Sequence, residues 1–280
     1  MLPGKLAFVT GAGGGIGRAI CRVMAREGAT VVAADLNINN VQTTVDELTG
    51  EGHKSYQLDV SNAESVTNVL KQVFTDYSAP PTVVVNAAGI TRDNFMLKMS
   101  VQDFESVFNV NVKVIEQYKE INVLNSIFYV YLPIELVEKH LPGSIVNIGS
   151  IVAQRGNIGQ SNYSASKAAV EVFSKTVALE MAKLVQLKFL MSTMILNYIH
   201  SEQITDTFSR YNIRCNTVLP GFTTTPMTDM IPENIREHFK SVIPLKRFAN
   251  SEEIAEVVTF LASEKSSYVT GTSIAVSGGY

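Results

Sequence analysis

Tyr163 and Lys167 stand four residues apart in the run Tyr163-Ser164-Ala165-Ser166-Lys167. On a helix that spacing places both on one face. A phenol with a pKa of about 10 is a poor base at neutral pH. An ammonium beside it stabilises the phenolate and lowers that pKa, which a residue exchanging a proton with an alcohol requires. Alone, such a pair arises often by chance. Ser150 lies 13 residues earlier, at the end of an apolar run, where its hydroxyl can donate to a carbonyl or developing alkoxide oxygen. Asn111 is a fourth polar candidate, able to hold a water or the lysine.

A second set of residues suits a phosphate ligand. Thr10-Gly11-Ala12-Gly13-Gly14-Gly15-Ile16-Gly17 follows an apolar run and opens a helical pattern. Glycines there let the backbone approach a pyrophosphate, and the helix N-terminus offers unpaired N–H groups. Asp35 comes 18 residues after Gly17, where a carboxylate accepts from a ribose 2′-hydroxyl and repels a 2′-phosphate. That favours NAD over NADP. The competing reading of Asp35 is a helix cap or turn acid, because Asn37, Asn39 and Asn40 follow it. Asn86-Ala87-Ala88-Gly89 ends another apolar run, and Pro220-Gly221 ends a further one, so both can wall the same cleft.

These residues need a scaffold that gathers strand ends. The predicted strands are 6–9, 30–34, 55–58, 82–85, 144–148, 214–218 and 272–276, mostly apolar without alternation, as strands covered on both faces are. Helical patterns lie between them. Ser61 with Glu64, and Asn250 with Glu253, match a capping box. Alternating strands and helices over nearly the whole chain predict an α/β fold: a doubly wound, Rossmann-type parallel sheet of about seven strands in a single domain, 1–280. Composition agrees, with 46% hydrophobic and 18% charged among 280 residues, enough to bury a core. Net charge is −3, with 23 Lys plus Arg against 26 Asp plus Glu, so nucleic acid is not an expected partner. Cys21 and Cys215 form no CxxC, and the four histidines have no ligand spacing, so no metal site is expected. Five residues precede the first predicted strand, and no removable targeting segment is expected there. The stretch 184–199 is 16 residues with one Lys inside, short of the about 20 that span a membrane.

Taken together, the motifs resemble the classical short-chain dehydrogenase/reductases. The TGxxxGxG pattern (Thr10, Gly11, Gly15, Gly17), the element Asn86–Gly89, and Asn111, Ser150, Tyr163 and Lys167 carry the likeness from about residue 5 to 279. Within that family the chain is similar to 3-oxoacyl-[acyl-carrier-protein] reductases and to the estradiol 17-beta-dehydrogenase 8 group. Ile90-Thr91-Arg92-Asp93, Gly156-Asn157-Ile158-Gly159-Gln160 and Ile243-Pro244-Leu245 are points of likeness, as are Phe222, Thr225, Met227 and Thr228. The resemblance implies Tyr163 as acid/base and Ser150 as the group orienting the substrate oxygen. Lys167 would lower the tyrosine pKa and hold the nicotinamide ribose, and Asn111 would support a proton relay. Asp59 and Val60 would border the adenine, Thr223 and Thr225 the nicotinamide end. Gly13, Ile16, Leu36 and Pro220-Gly221 would complete the cofactor wall. Gly14 stands where NADP-using relatives often carry arginine, which again favours NAD.

The implied activity interconverts a secondary alcohol and a ketone, on 3-hydroxyacyl or 3-oxoacyl thioesters of fatty acid metabolism and on 17-beta-hydroxysteroids. A sugar or polyol dehydrogenase of the same family, and an NAD-binding scaffold subunit of weak activity, stay open. An acyl carrier protein as partner, a homo- or hetero-tetramer with a related subunit, and the mitochondrial matrix, with cytoplasm as alternative, belong to the same expectation. The region 223–248 would be a substrate-side lid, with Met227, Met230, Ile231, Ile235 and Phe239 apolar and Arg236, Lys240, Lys246 and Arg247 beside them. Those cations either face a phosphate-bearing carrier or are solvated around a packed lid helix. The likeness breaks at 114–127 and 184–209, two stretches read as insertions. They are surface loops, a membrane- or partner-binding addition, or translated non-coding sequence, the last being favoured.

Overall fold

The computed structural model describes residues 1–112, 141–196, 213–229 and 231–280. In chain order the elements are β1 (Leu6–Thr10), α1 (Gly15–Arg26), β2 (Thr30–Asp35), α2 (Ile38–Asp46), β3 (Lys54–Gln57), α3 (Ala63–Tyr77), β4 (Val83–Asn86) and α4 (Val101–Asn111). They continue with β5 (Gly143–Ile148), α5 (Val152–Arg155), α6 (Ser161–Leu196), β6 (Ile213–Pro220), α7 (Pro226–Asp229), α8 (Glu233–Val242), α9 (Ser251–Ala262) and β7 (Ser273–Val276). Seven parallel strands form one sheet in the order β3-β2-β1-β4-β5-β6-β7. The Rossmann-type expectation holds.

Successive strand residues enter opposite cores, which is why the strands lack polar alternation. Ala7, Val9, Val31 and Val85 pack with Ile20 and Met24 of α1 and Ile254, Val258 and Leu261 of α9. Phe8, Val32, Val84 and Ile145 pack on the other face with Val66, Val69 and Val73 of α3 and Val177 of α6. The chain winds outward from β1 to β3, then returns to place β4 on the other side of β1. That reversal opens a crevice at the carboxyl ends. Register brings those ends level: Thr10 pairs with both Ala34 and Asn86, Asn86 with Asn147, and Ile148 with Val218.

Two local expectations separate. The capping box at Asn250 forms, with Asn250 N–H donating to Glu253 Oε2 at 2.8 Å. Ser61 does not cap α3. Asn62 does, accepting from Ser65 N–H at 3.0 Å, while the Ser61 hydroxyl donates to Asp59 Oδ1 at 2.6 Å. The nearer carboxylate holds the serine one residue short of the helix. The suspected insertion 114–127 lies outside the described residues. Of 184–209, the part to Leu196 prolongs α6, the helix that carries Tyr163 and Lys167, and 197–209 lie outside the described residues. Among the described residues no helix is long and apolar enough to cross a membrane.

Candidate active site

The glycine-rich turn is built by close approach. A Cβ on Gly17 would lie 2.0 Å from Gly11 O, and one on Gly11, where φ is +68°, 2.7 Å from Ala88 N. Only hydrogen fits at either place. Thr10 Oγ1 accepts from the N–H groups of Ala87 and Ala88, both at 3.2 Å, tying the end of β1 to that of β4. Side chains cap α2, α3, α4 and α9: Asn37, Asn62, Ser100 and Asn250. Helix α1 starts on Gly14 with no side-chain cap, and a Cβ there would meet nothing within 4 Å. An uncapped N-terminus opening on free space suits a phosphate.

A cleft of about 990 Å³ runs from this turn across the strand ends. Its wall includes Gly11, Gly13, Gly15, Ile16, Gly17, Asp35, Leu36, Asp59, Val60, Ala87, Ala88, Gly89, Tyr163, Lys167 and Thr225. Thr10 and Thr223 are buried behind it; the Thr223 hydroxyl donates to Gly221 O at 3.1 Å. Asn86 also serves structure, donating to Asn147 Oδ1 at 2.8 Å. Pro220 and Gly221 hold their place in β6 and just past it, Gly221 N–H donating to Val276 O at 2.9 Å. Asp35 Oδ2 accepts from Gly13 N–H and Oδ1 from Asn37 N–H, each at 3.0 Å. Its carboxylate is thus both a turn acid and a wall of the cleft. Arg18, which motif reading passed over, donates to Gly13 O at 2.7 Å and Thr44 Oγ1 at 3.0 Å, clamping the turn to α2. The uncapped helix, the acid at β2 and the volume of the cleft fit a dinucleotide.

The four polar candidates converge at the other end. A Cβ at Gly89 would stand 3.3 Å from both Asn111 Oδ1 and Lys167 Nζ. Ser150, just beyond β5, is close enough to Tyr163 for its hydroxyl to pull the phenol pKa down. Against the expected lowering, burial is the dominant influence on the phenol. Burial pushes Tyr163 up to about 12, and the Asp93 carboxylate adds to the rise. Lys167 Nζ lies 5.7 Å from the phenol ring centroid and donates to Ile148 O at 2.8 Å. Burial alone lowers Lys167 from 10.5 to about 8. The i,i+4 spacing does put both on one face, but the ammonium is turned to a strand carbonyl.

The Asn111 side chain is held by three hydrogen bonds. Its amide accepts from Ile90 N–H at 2.9 Å and donates to Ile90 O at 3.1 Å and to Ser166 Oγ at 3.0 Å. Ser166 in turn donates to Tyr163 O at 2.8 Å. The side chain therefore ties α4, the 90 loop and α6 together. Ser166 was missed as a functional residue; its place one residue before Lys167 was the only signal. The lid cations are engaged: Arg236 pairs with Glu233, Lys240 with Glu237, and Arg247 with Glu253. These are exposed ion pairs on and around α8. Phe222, Phe239 and Phe248 stack beneath it, with centroids at 4.2 and 5.3 Å from Phe222. Met227's side chain and Met230 lie outside the described residues. Both cysteines are buried, with thiols pushed up to about 12 by burial, so neither is a nucleophile.

A family model described as short chain dehydrogenase matches residues 5–206. The chain belongs to the short chain dehydrogenase family. A second model, described as enoyl-(acyl carrier protein) reductase, matches residues 201–280. A (3R)-3-hydroxyacyl-CoA dehydrogenase of Canis lupus familiaris is 41% identical, over 99% of this chain and 96% of its own. The Homo sapiens protein of the same name is 41% identical with the same coverage. A 3-oxoacyl-[acyl-carrier-protein] reductase FabG of Thermotoga maritima is 39% identical over 99% of this chain and 98% of its own. As a short chain dehydrogenase the protein is an oxidoreductase acting on CH–OH groups with a nicotinamide cofactor. That cofactor supplies the hydride acceptor or donor when bound. At the cleft the short chain dehydrogenase chain places the Tyr163 phenol, with the Ser150 hydroxyl close enough to act on it and the buried Lys167 beside its ring.

Proposed function

We propose that the protein interconverts 3-hydroxyacyl and 3-oxoacyl thioesters, with NAD(H) as cofactor. The observation that carries the reading is Tyr163, with Ser150 and Lys167, at the end of a dinucleotide-sized cleft in a chain similar over its length to acyl-thioester enzymes. Exposed apolar residues on the loops that lead into Tyr163 support an acyl substrate. Phe95, Met96 and Leu97 are exposed on one loop and Ile158 on another, and Asn94 N–H joins the two loops by donating to Gly159 O at 2.9 Å. An apolar rim there suits a hydrocarbon chain. An acyl carrier protein as partner, a 17-beta-hydroxysteroid as second substrate, and the mitochondrial matrix with cytoplasm as alternative are parts of the same proposal. A tetramer is another; Val101 of α4 and Val172 and Leu179 of α6 offer exposed apolar surface for it.

The purified protein is expected to oxidise NADH when given an acetoacetyl thioester. Turnover of a sugar or polyol panel instead would move the assignment to that branch, and NADH binding without turnover of any substrate would make it a scaffold. Replacing Leu97 and Ile158 by Ser should raise KM about tenfold for a long-chain thioester, the loss of one to two buried aliphatic side chains, and leave acetoacetyl KM unchanged. Equal effects at both lengths would remove the rim from the acyl site.

NAD over NADP is supported by Asp35, whose carboxylate borders the cleft, and by Gly14 where NADP-using relatives often carry arginine. Asp35→Ser is expected to raise NADPH affinity and lower NADH affinity, each by roughly tenfold, one charged hydrogen bond or repulsion being about 1.5–3 kcal/mol. Fluorescence titration reads both constants. A wild type that binds NADPH more tightly than NADH overturns this part.

A further inference from the structure

Tyr163 occupies the first turn of α6, where main-chain N–H groups lack helical partners. The residue before it, Asn162, has 0% of its surface exposed although it ends in an amide. Its Oδ1 accepts from Tyr163 N–H at 2.7 Å, and its Nδ2 donates to Arg92 O at 2.9 Å. Two further bonds flank it: Asn94 N–H to Gly159 O at 2.9 Å, and Gln160 Nε2 to Asp93 Oδ2 at 2.8 Å. The loop 92–94 is thus clasped to 159–162 by three hydrogen bonds, and the central one is the best shielded. The same loop begins at Ile90, which Asn111 grips from both sides, and follows Ala87, Ala88 and Gly89, the cleft wall.

We infer that Asn162 is a positioning residue for Tyr163: it registers the tyrosine main chain against the cleft wall through Arg92 O, and so sets where the phenol oxygen stands for proton transfer. Catalytic groups must sit within about 0.5 Å of their productive place, and a misplacement of about 1 Å costs roughly 100-fold in rate. A buried amide satisfied at both ends is suited to that task, because breaking either bond leaves a desolvated group without a partner. The Gln160–Asp93 bond is exposed and can exchange with water at little cost.

The inference rests on the oxidoreductase assignment and not on the choice of substrate. Asn162→Asp keeps the acceptor for Tyr163 N–H and turns an oxygen towards Arg92 O; Asn162→Ser keeps a short acceptor and loses the donor. Both should lower kcat about 100-fold. NADH affinity by fluorescence titration and substrate KM should stay within about threefold, and the isotope effect with NADH deuterated at the transferred hydrogen should rise, as expected when the chemical step alone is slowed. Gln160→Ala should change kcat by less than about threefold. The assay uses whichever of the thioester, steroid and polyol panel the wild type turns over. A kcat within about threefold of wild type in both Asn162 variants overturns the inference. So does a kcat loss matched by an equal loss of NADH-binding sites, which marks a folding defect. A wild type without turnover of any panel member overturns the oxidoreductase reading beneath it, and a wild type active only on polyols overturns the acyl reading alone.

Discussion

Phenylalanine at position 163 is expected to cut kcat by about 10²–10⁴-fold, the range of general acid–base catalysis, while NADH affinity and thermal midpoint change little. The substitution keeps the ring and removes only the hydroxyl. Tyr163 packs at the cleft, but its main chain, not its phenol, carries the bonds to Asn162 and Ser166, so the scaffold is unaffected. The phenol, pushed up to about 12 by burial, is protonated throughout the physiological range. It is therefore a ready donor to a ketone oxygen, with the Ser150 hydroxyl beside it to share the developing charge. Alcohol oxidation asks the reverse, a phenol that gives up its proton first. The wild-type oxidation rate should consequently climb with pH, whereas reduction should not. In the Phe variant that difference between directions disappears. Steady-state rates in both directions from pH 6 to about 10 test this. Full turnover by the Phe variant removes Tyr163 from the chemistry.

Methionine at position 167 should abolish useful activity and at the same time stabilise the fold. Lys167 is almost fully buried, bonded to one carbonyl, and burial alone lowers it from 10.5 to about 8. At about 1.4 kcal/mol per pKa step that depression corresponds to a native-state penalty of about 3 kcal/mol. The penalty is full below pH 8, where the lysine is charged in both folded and unfolded chains. Between about 8 and 10.5 the native chain binds fewer protons than the unfolded one, so wild-type stability rises with pH; above 10.5 the penalty is gone. Met fills similar volume without charge but leaves Ile148 O without its donor, a cost of about 1 kcal/mol. A net gain of about 2 kcal/mol at pH 7 should shrink as pH rises towards 10. Urea unfolding at the two pH values measures it, and a Met variant less stable at pH 7 would show the charge to be compensated. In contrast to the Tyr163 variant, this one should also lose NADH affinity, because Lys167 lines the cleft. A buried cation retained at a stability cost is a common mark of a working site.

Much was legible in the chain because it is written locally. Runs such as Leu6–Thr10 and Thr30–Asp35 announce covered strands by composition, and each boundary moved by no more than two residues. Thr10 to Gly17 announced a turn because only glycine tolerates a backbone at 2.0 Å. Asn250 and Glu253 are three apart, and spacing alone made their cap. Ser61 failed because Asp59, two residues back, competed for its hydroxyl.

What spacing could not carry were partners distant in sequence and the solvent each group sees. The four-residue interval put Tyr163 and Lys167 on one face, but the packed sheet decided that Ile148 O, not the phenol, receives the ammonium, and burial decided which way each pKa moved. Asn162 and Arg92 lie 70 residues apart, and Asn111 and Ser166 55 apart, so no motif joins them. The residue types able to do the chemistry were determined by the chain; their protonation, their partners and their tolerances were decided only when the fold removed water from around them.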